Sequence, residues 1–256
     1  MGTVTWRRAG RLLASLAVVA SGLAVLPAAQ AQVALDTPPA VVEKRMIGKS
    51  VRGRPIMAYR LGVPGKPVMM LIATMHGNEA APRQILKSLI RGPKVRGIDL
   101  WVIPTYNPDG MAAHRRKNAH GVDLNRNFPY HWAPLDGNYE SGPRPRSEPE
   151  TRAMMRFLRD VRPARILSFH QPLYGVDTDT KKPRFARRVA RALNLPRTRL
   201  DCGGVCHGTM TGWYNHRFSG AALTVEYGAH PARRVMRVTA PRAVVRVFGG
   251  WRLSAS

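Results

Sequence analysis

The stretch that decides the fold runs Pro67-Val68-Met69-Met70-Leu71-Ile72-Ala73-Thr74-Met75-His76-Gly77-Asn78-Glu79-Ala80. Its first half is apolar without alternation, which is typical of a strand buried on both faces of a sheet. His76 and Glu79 follow directly, so an imidazole and a carboxylate stand three residues apart where that strand should end. In an open α/β sheet, reacting groups collect outside the carboxyl ends of the strands. The stretch therefore predicts a buried strand that presents chemistry at its end.

Two later apolar runs end in the same way. Residues 165–169 predict a strand that leads to His170, and residues 221–226 predict a strand that ends at Glu226. The His-x-x-Glu pair and a distant His can converge on one ion, and a His2Glu set with an open fourth position is a catalytic zinc arrangement. Such a pair also occurs by chance, and a His at a strand end can simply bond to backbone carbonyls.

Strand and helix signals alternate along the rest of the chain. This alternation predicts an α/β fold, a single domain with a mixed, mostly parallel sheet covered by helices on both faces. The irregular stretch 107–146 is long for a connection, and loops of that length are usually functional or disordered. Further strands are predicted over 45–60, with a turn at 51–54, and over 99–104. Helices are predicted over 79–90, from a Ser147 N-cap to about Arg159, over 185–193 and over 240–249.

The first residues have the features of an export signal. Arg7-Arg8 precedes an apolar run, and Ala29-Gln30-Ala31 is typical of a cleavage site. The apolar run is too short to predict a membrane span, so no transmembrane anchor is expected after cleavage. The arginine pair leaves the twin-arginine route open beside ordinary secretion. We predict a secreted or cell-envelope protein with a signal peptide over 1–31, a flexible lead-in over 32–43 and one domain over 44–256.

The chain is strongly basic, with 41 Lys and Arg against 15 Asp and Glu and a net charge of +26. The expected signal contains three Arg and no acid, so the mature chain keeps a charge near +23. Such a charge attracts polyanions. The arginines are scattered without a base-stacking aromatic platform, so nucleic acid is not the expected partner. Anionic cell-wall polymers or membrane headgroups suit an exported protein better; a compositional bias without any partner is the alternative.

The two cysteines, Cys202 and Cys206, are four residues apart. Export favours oxidation, and so a small disulfide loop is the first interpretation. Two others stay open, namely free thiols and a metal site that includes His207, although further ligands at a suitable spacing are not evident.

Six signals follow one another in a fixed order: His76-x-x-Glu79, Asn107-Pro108-Asp109-Gly110, Asn125-Arg126-Asn127-Phe128, Ser147-Glu148-x-Glu150, Ser168-Phe169-His170 and Thr224-Val225-Glu226. This order resembles that of the zinc metallocarboxypeptidases of the carboxypeptidase A and B type, over roughly residues 44–230. The block from Gly121 to Pro129 and the Cys-Gly-Gly-x-Cys-x-Gly-Thr run look like those of murein peptide amidases and related bacterial wall carboxypeptidases. Those enzymes cut the γ-D-glutamyl–diaminopimelate bond of peptidoglycan stem peptides.

The resemblance implies one zinc ion per chain, held by His76, Glu79 and His170. It makes Glu226 the general base that activates the metal-bound water and then passes the proton to the leaving amine. This chemistry is coherent, because zinc acidifies bound water and polarises the scissile carbonyl, and a base must lie within hydrogen-bond reach of that water. The alternative for Glu226 is an ion pair with one of the many arginines.

The resemblance also implies residues that hold the substrate. Arg116 matches the arginine that stabilises the oxyanion, although its neighbour Arg115 leaves the register open by one residue. Asn125 and Arg126 match the pair that binds the terminal carboxylate of the substrate, which a guanidinium can hold bidentately.

The chain departs from carboxypeptidases A and B at the substrate-contacting tyrosine, whose position falls near Gly204. Tyr214, His216 and His207 are nearby alternatives. The floor of the specificity pocket falls near Thr211, and a polar pocket suits a zwitterionic side chain such as that of diaminopimelate. Asp177 or Asp179 could supply the negative charge that such a side chain needs.

The function expected from this resemblance is an exported zinc carboxypeptidase that trims peptidoglycan stem peptides. Three alternatives are a carboxypeptidase acting on ordinary peptides, a zinc deacylase of the aspartoacylase type, and an inactive cationic wall-binding module. The intact Asn-Pro-Asp-Gly and Asn-Arg-Asn-Phe blocks favour a carboxypeptidase over a deacylase. The retained ligands, with Glu226 and Arg116, argue against an inactive module.

Overall fold

The computed structural model describes residues 1–3, 40–200, 202–204 and 206–253. Nearly all of the expected signal peptide and lead-in therefore lie outside the described residues. Within the described part, no helix is both long enough and apolar enough to cross a membrane.

Ten strands lie in the described part of the chain. Eight form one sheet in the order β1-β2-β5-β3-β6-β9-β7-β8, while β4 and β10 form a separate two-stranded ribbon. Strands β5, β3, β6 and β9 run parallel at the centre of the sheet. The bounds are β1 (Val41–Lys49), β2 (Pro55–Gly62), β3 (Val68–Ala73), β4 (Val95–Arg96), β5 (Asp99–Ile103), β6 (Arg165–His170), β7 (Leu173–Asp177), β8 (Arg197–Thr198), β9 (Ala221–Gly228) and β10 (Trp251–Arg252).

Helices cover both faces of the sheet. On one face α1, α4 and α6 bury side chains such as Ile85, Phe185 and Val244, and on the other α3 and α5 bury Met154 and Trp213. The mixed, mostly parallel sheet with helices on both faces confirms the predicted fold class. The helices are α1 (Arg83–Ile90), α2 (Pro108–Ala112), α3 (Pro149–Val161), α4 (Pro183–Leu193), α5 (Met210–Arg217) and α6 (Ala240–Val247), with a π-helical turn (Val235–Thr239) before α6.

Several element boundaries differ from the prediction. Helix α1 begins only at Arg83, because Pro82 occupies the N-cap and a proline disfavours helical backbone in the residue before it. Strand β1 begins at Val41, inside the expected lead-in, because its backbone pairs with β2. The N-cap of α3 is Glu148 rather than Ser147. Helix α5, which contains Gly212 and other weak helix formers, was not predicted.

The carboxyl ends of the central strands meet at one edge of the sheet. The register pairs Ala73 of β3 with Phe169 of β6, and His170 of β6 with Glu226 of β9. The parallel arrangement therefore brings the ends of the three apolar runs together, as expected for an open α/β sheet.

Candidate metal centre and substrate site

Three side chains at this edge form a group that could hold a metal ion. One ligand atom from each of His76, Glu79 and His170 lies within 4.8 Å of the others. The Nδ1 atom of His76 is 2.6 Å from Glu79 Oε1, and the Nδ1 atom of His170 is 2.9 Å from Glu79 Oε2. All three residues are buried. Two imidazole nitrogens and one carboxylate are the donor set of many catalytic zinc sites.

Each imidazole has a partner on its outer nitrogen. His76 Nε2 is 3.0 Å from Asp123 Oδ1, and His170 Nε2 is 2.9 Å from Ser168 Oγ. A proton donated from Nε2 to these oxygens leaves the Nδ1 lone pair directed at the centre of the group, which is how partners of ligand histidines fix the tautomer. The donor set therefore fits a divalent cation. Ser168 lies two residues before His170, on the same face of β6.

Buried charges in this group perturb one another. Burial acts to lower the pKa of His76, but the carboxylates of Asp123 and Glu79 outweigh it and raise that pKa to about 9. Burial acts to raise the pKa of Glu79, yet the charges of His76 and His170 lower it to about 2. A cation entering the group would compete with the proton of His76, so metal binding should release that proton.

Arg116, and not Arg115, faces the metal-binding group. Its Nε and Nη2 atoms donate to Asp123 Oδ2 at 3.0 and 2.7 Å. Its Nη1 atom lies 3.3 Å from His76 Nδ1 and 3.6 Å from Glu79 Oε1. The Arg115 side chain is exposed. Of the two arginines that the sequence leaves open, Arg116 is therefore the one that lies at the metal-binding group.

Glu226 lies beside His170 on the neighbouring strand. Burial raises the pKa of its carboxyl group, with the charge of His170 acting in the opposite direction. Its Oε2 atom accepts a hydrogen bond from the backbone N–H of Leu173 at 3.3 Å. Among the described residues, no Lys, Arg or His nitrogen lies within 4.0 Å of this carboxylate. The described residues therefore do not include an arginine that forms an ion pair with Glu226, which was the alternative interpretation of this residue.

Arg126 is a buried cation that has no acidic partner among the described residues. Only 2% of it is exposed, and within the described part no carboxylate oxygen lies within 4.0 Å. Its Nη1 atom donates to the carbonyl of Asn125 at 2.9 Å, while its Nε atom has no hydrogen-bond acceptor. The Asn125 side chain accepts the N–H of Met210 at 3.0 Å. This contact ties the Asn-Arg pair to the first turn of α5, where Thr211 lies.

Tyr139, which was not singled out from the sequence, lies against both arginines. Its ring centre is 4.8 Å from Arg126 Cζ and 5.5 Å from Arg116 Cζ, and 36% of the residue is exposed. The next residue, Glu140, accepts the N–H of Asp123 through its carbonyl at 2.8 Å. Nothing in the local sequence distinguishes this tyrosine, because its loop is irregular and returns to the site only through tertiary contacts.

The sequence alternatives for the missing tyrosine do not share this position. Tyr214 is fully buried and its hydroxyl donates to the carbonyl of Pro163, at the end of the sheet opposite His170. His216 stacks on Tyr130. His207 donates from Nδ1 to the carbonyl of His131. Tyr214 is therefore wrong as a substrate-contacting residue, because its polar end points away from the site.

The remaining sequence candidates lie in the segment between β7 and α5. Asp177 ends β7, and its Oδ1 atom accepts the N–H groups of Asp179 and Leu200; burial raises its pKa to about 6. Asp179 is exposed. A disulfide joins Cys202 to Cys206.

Two short motifs fix the backbone around the metal-binding group. Asn107 caps α2 through the N–H of Gly110 at 2.8 Å and donates to the carbonyls of Met75 and Arg116. Gly77 packs so closely on this turn that an added Cβ would lie 1.9 Å from the carbonyl carbon of Gly110. The Asn-Pro-Asp-Gly motif thus positions the segment that carries His76.

The Ser-Glu-x-Glu motif supports the loop that carries Asp123. Asn118 donates from Nδ2 to Glu148 at 2.7 Å and to Glu150 at 3.1 Å. Its Oδ1 atom accepts the N–H of Val122 at 3.0 Å. The two glutamates are therefore structural supports for the loop. The start of α3, which the sequence predicted, supports the site through Asn118.

Comparison with known proteins agrees with this geometry. The sequence profile of the zinc carboxypeptidases matches residues 29–172, more than half of the chain. The chain belongs to the zinc carboxypeptidase family. Murein peptide amidase A of Escherichia coli is 31% identical over 165 residues, which is 58% of this chain and 67% of that protein. The catalytic chain of human carboxypeptidase N is 31% identical over 166 residues, 47% of this chain and 35% of that protein.

The fold of this zinc carboxypeptidase is also that of a solved relative. The murein-tripeptide amidase MpaA from Escherichia coli superposes with a TM-score of 0.65 at 24% identity, over 84% of this chain and 94% of that one. Family and fold together confirm the predicted class of enzyme, a metallocarboxypeptidase that hydrolyses peptide bonds. Membership of the family implies zinc as the metal.

Proposed function

We propose that this enzyme is exported and hydrolyses the γ-D-glutamyl–diaminopimelate bond at the end of peptidoglycan stem peptides. The buried guanidinium of Arg126 carries the exopeptidase part of the proposal. A buried charge without a partner is costly, and a substrate with a free terminal carboxylate supplies the bidentate acceptor that no described residue offers to Arg126. Contacts through Tyr139 and Arg116 connect Arg126 to the metal-binding group.

Three observations support the wall substrate and export. Two of the similar proteins are named murein peptide amidase and murein-tripeptide amidase. Thr211 offers a small polar side chain in the first turn of α5, which suits the zwitterionic side chain of diaminopimelate, and Asp177 and Asp179 are the acids proposed to face its ammonium group. The disulfide between Cys202 and Cys206 fits an oxidising compartment, as does the leader-like start of the sequence.

The proposed mechanism assigns a separate task to each residue. His76, Glu79 and His170 would hold zinc, which when bound polarises the scissile carbonyl and lowers the pKa of water. Arg126 and Asn125 bind the terminal carboxylate and so align the bond. Glu226 takes a proton from the attacking water and delivers it to the leaving amine, a role that its raised pKa favours. Arg116 donates to the carbonyl oxygen as negative charge develops there.

Tyr139 is proposed as the side wall of the carboxylate subsite. Its ring lies against both guanidiniums, so removing it should loosen the arginines and expose them to water. We expect Tyr139→Ala to raise KM several-fold more than it lowers kcat, and Tyr139→Phe to separate the ring from the hydroxyl. Tyr130→Phe is the matched control. Unchanged kinetics for Tyr139→Ala would remove this residue from the site.

The decisive experiment is mass spectrometry of products from the purified enzyme, with and without a zinc chelator. The substrates are L-Ala-γ-D-Glu-diaminopimelate, the same tripeptide amidated at its C-terminus, and a panel of ordinary peptides. Chelator-sensitive release of diaminopimelate from the free acid alone supports the proposal. Release only from ordinary peptides would keep the zinc mechanism and reject the wall substrate.

A matched pair of variants tests the role of Arg126. Arg126→Ala should lose activity on the free-acid substrate, whereas Arg115→Ala, at an exposed arginine, should not. An equal loss for amidated and free substrates would show that Arg126 does not bind the terminal carboxylate.

A further inference from the structure

A second concentration of charge lies away from the catalytic residues, in a groove of about 630 Å³ at the start of α4. Apart from Pro183 and Phe185, every residue that lines it is cationic, and no described carboxylate lies within 4.0 Å of any of these cations. Arg165 begins β6 while His170 ends it, so the groove is at the opposite end of the sheet from the metal-binding group. The cationic residues are Arg165, Lys181, Lys182, Arg184, Arg187 and Arg188.

Contacts with neighbouring groups fix three of these cations, Arg165, Lys181 and Arg188. The buried ring of Phe185 lies close to two guanidiniums, with its centre 5.5 Å from Arg165 Cζ and 5.8 Å from Arg188 Cζ. Lys181 Nζ donates to the carbonyls of Asn215, at 2.8 Å, and Phe218. Since like charges so fixed repel one another, an anion bound in the groove would relieve that repulsion.

The groove continues across the helical layer. A second groove of about 380 Å³ shares Arg188 and extends to Arg246 on α6. The helices of this face, α1, α4 and α6, contain no Asp or Glu, whereas α3 on the other face contains Glu150 and Asp160. A track that spans two elements suits an extended polymer better than a single phosphate ion.

The chemistry of the track favours phosphate. Its cations are mostly arginines, whose planar fork binds phosphate oxygens bidentately. The described residues of α4 and α6, which carry the track, include no exposed large apolar side chain, whereas the exposed Val238 and Trp251 precede and follow α6. The track itself therefore lacks the anchors that amphipathic helices insert into membranes, and lipid vesicles are included in the test. We propose that this track, formed by the six cations of the first groove together with Arg246, binds an extended polyanion with repeating phosphodiester groups. The proposal is independent of the catalytic function.

The test compares two variants that lose the same charge on opposite faces. Arg187→Gln with Arg188→Gln alters the track, and Arg156→Gln with Arg159→Gln alters α3. The probe is fluorescently labelled poly(glycerol phosphate), titrated by anisotropy at several salt concentrations. We expect the track variant to bind roughly tenfold more weakly and to lose about two from the slope of log affinity against log salt, because each lost phosphate contact removes about one. The α3 variant should match the unaltered enzyme.

Each other outcome overturns the proposal. Equal losses in the two variants would mean that diffuse net charge binds the polymer, and no binding at physiological salt would mean that the track is only a solvated surface. Equal or tighter binding to polyglutamate, to anionic lipid vesicles or to single-stranded DNA would reject a phosphodiester polymer as the preferred ligand. Hydrolysis of a short peptide should be the same in all three proteins, so failure of the catalytic proposal would be recognised separately.

Discussion

Asp123 connects the metal-binding group to Arg116, the proposed oxyanion residue, and replacing Asp123 by Asn tests that connection. One carboxylate oxygen lies 3.0 Å from His76 Nε2, and the other accepts from Arg116 at 2.7 and 3.0 Å. Asp123→Asn keeps the shape of the side chain but loses the charge. If the amide oxygen stays on His76, the amide NH2 group must face the donors of Arg116. Both a proposed ligand and a proposed catalytic cation are therefore disturbed at once.

Partners that orient ligand histidines typically contribute 10–100-fold to metal affinity, which corresponds to about 1.4–2.8 kcal/mol. A second effect acts in the opposite direction. Against the effect of burial, Asp123 and Glu79 together raise the pKa of His76 to about 9, so near pH 7 a proton competes with zinc for Nδ1 in the unaltered enzyme. Without Asp123 that competition weakens. The loss of zinc affinity should therefore be largest at pH 9 and smaller at pH 7.

Competition with a chromophoric chelator at the two pH values measures the zinc affinity. Asp99→Asn is the matched control, because Asp99 is equally buried and accepts from Arg60 at 2.9 and 2.6 Å, at the opposite end of the sheet. Both variants should lose comparable stability towards urea, but only Asp123→Asn should lose zinc affinity. An unchanged zinc Kd at pH 9, or an equal loss in Asp99→Asn, would refute the reasoning.

Three further predictions concern single residues. Glu226→Gln should retain one zinc by metal analysis yet lower kcat by about 10²–10⁴-fold; substantial turnover would show that another group is the base. Asp177→Asn should raise Tm at pH 8 and leave it unchanged near pH 4. Folding raises the pKa of this carboxyl from 3.8 to about 6, so ionising it in the folded protein costs stability as the pH rises through that range, and Asn carries no such charge. A Tm difference that does not change with pH would contradict this. Gly77→Ala should cost about 1–3 kcal/mol of unfolding free energy, because its Cβ would meet Gly110 at 1.9 Å, whereas Gly228→Ala, with its nearest contact at 3.6 Å, should be tolerated.

Some residues of the site can be predicted because they are close together in the sequence, and others cannot. His76 and Glu79 are three residues apart, so a turn suffices to bring them together, and both were found from the sequence. Ser168 could have been found as well, because it alternates with His170 on one strand face. Tyr139 could not, because its loop returns to Asp123 through the carbonyl of Glu140, a contact that no local pattern encodes.

The sequence by itself determined the α/β class and the family, because buried strands, helix starts and short motifs are local patterns of residue type. It also singled out His76, His170 and Glu226 as candidates, since each stands at or near the end of an apolar run. Only the tertiary structure decided which arginine faces the metal-binding group and that Tyr214 points away from the site. It also decided that Arg126 is buried with no carboxylate partner in the described part of the chain. Those facts depend on register and on burial, which arise when strands distant in sequence pair and exclude water.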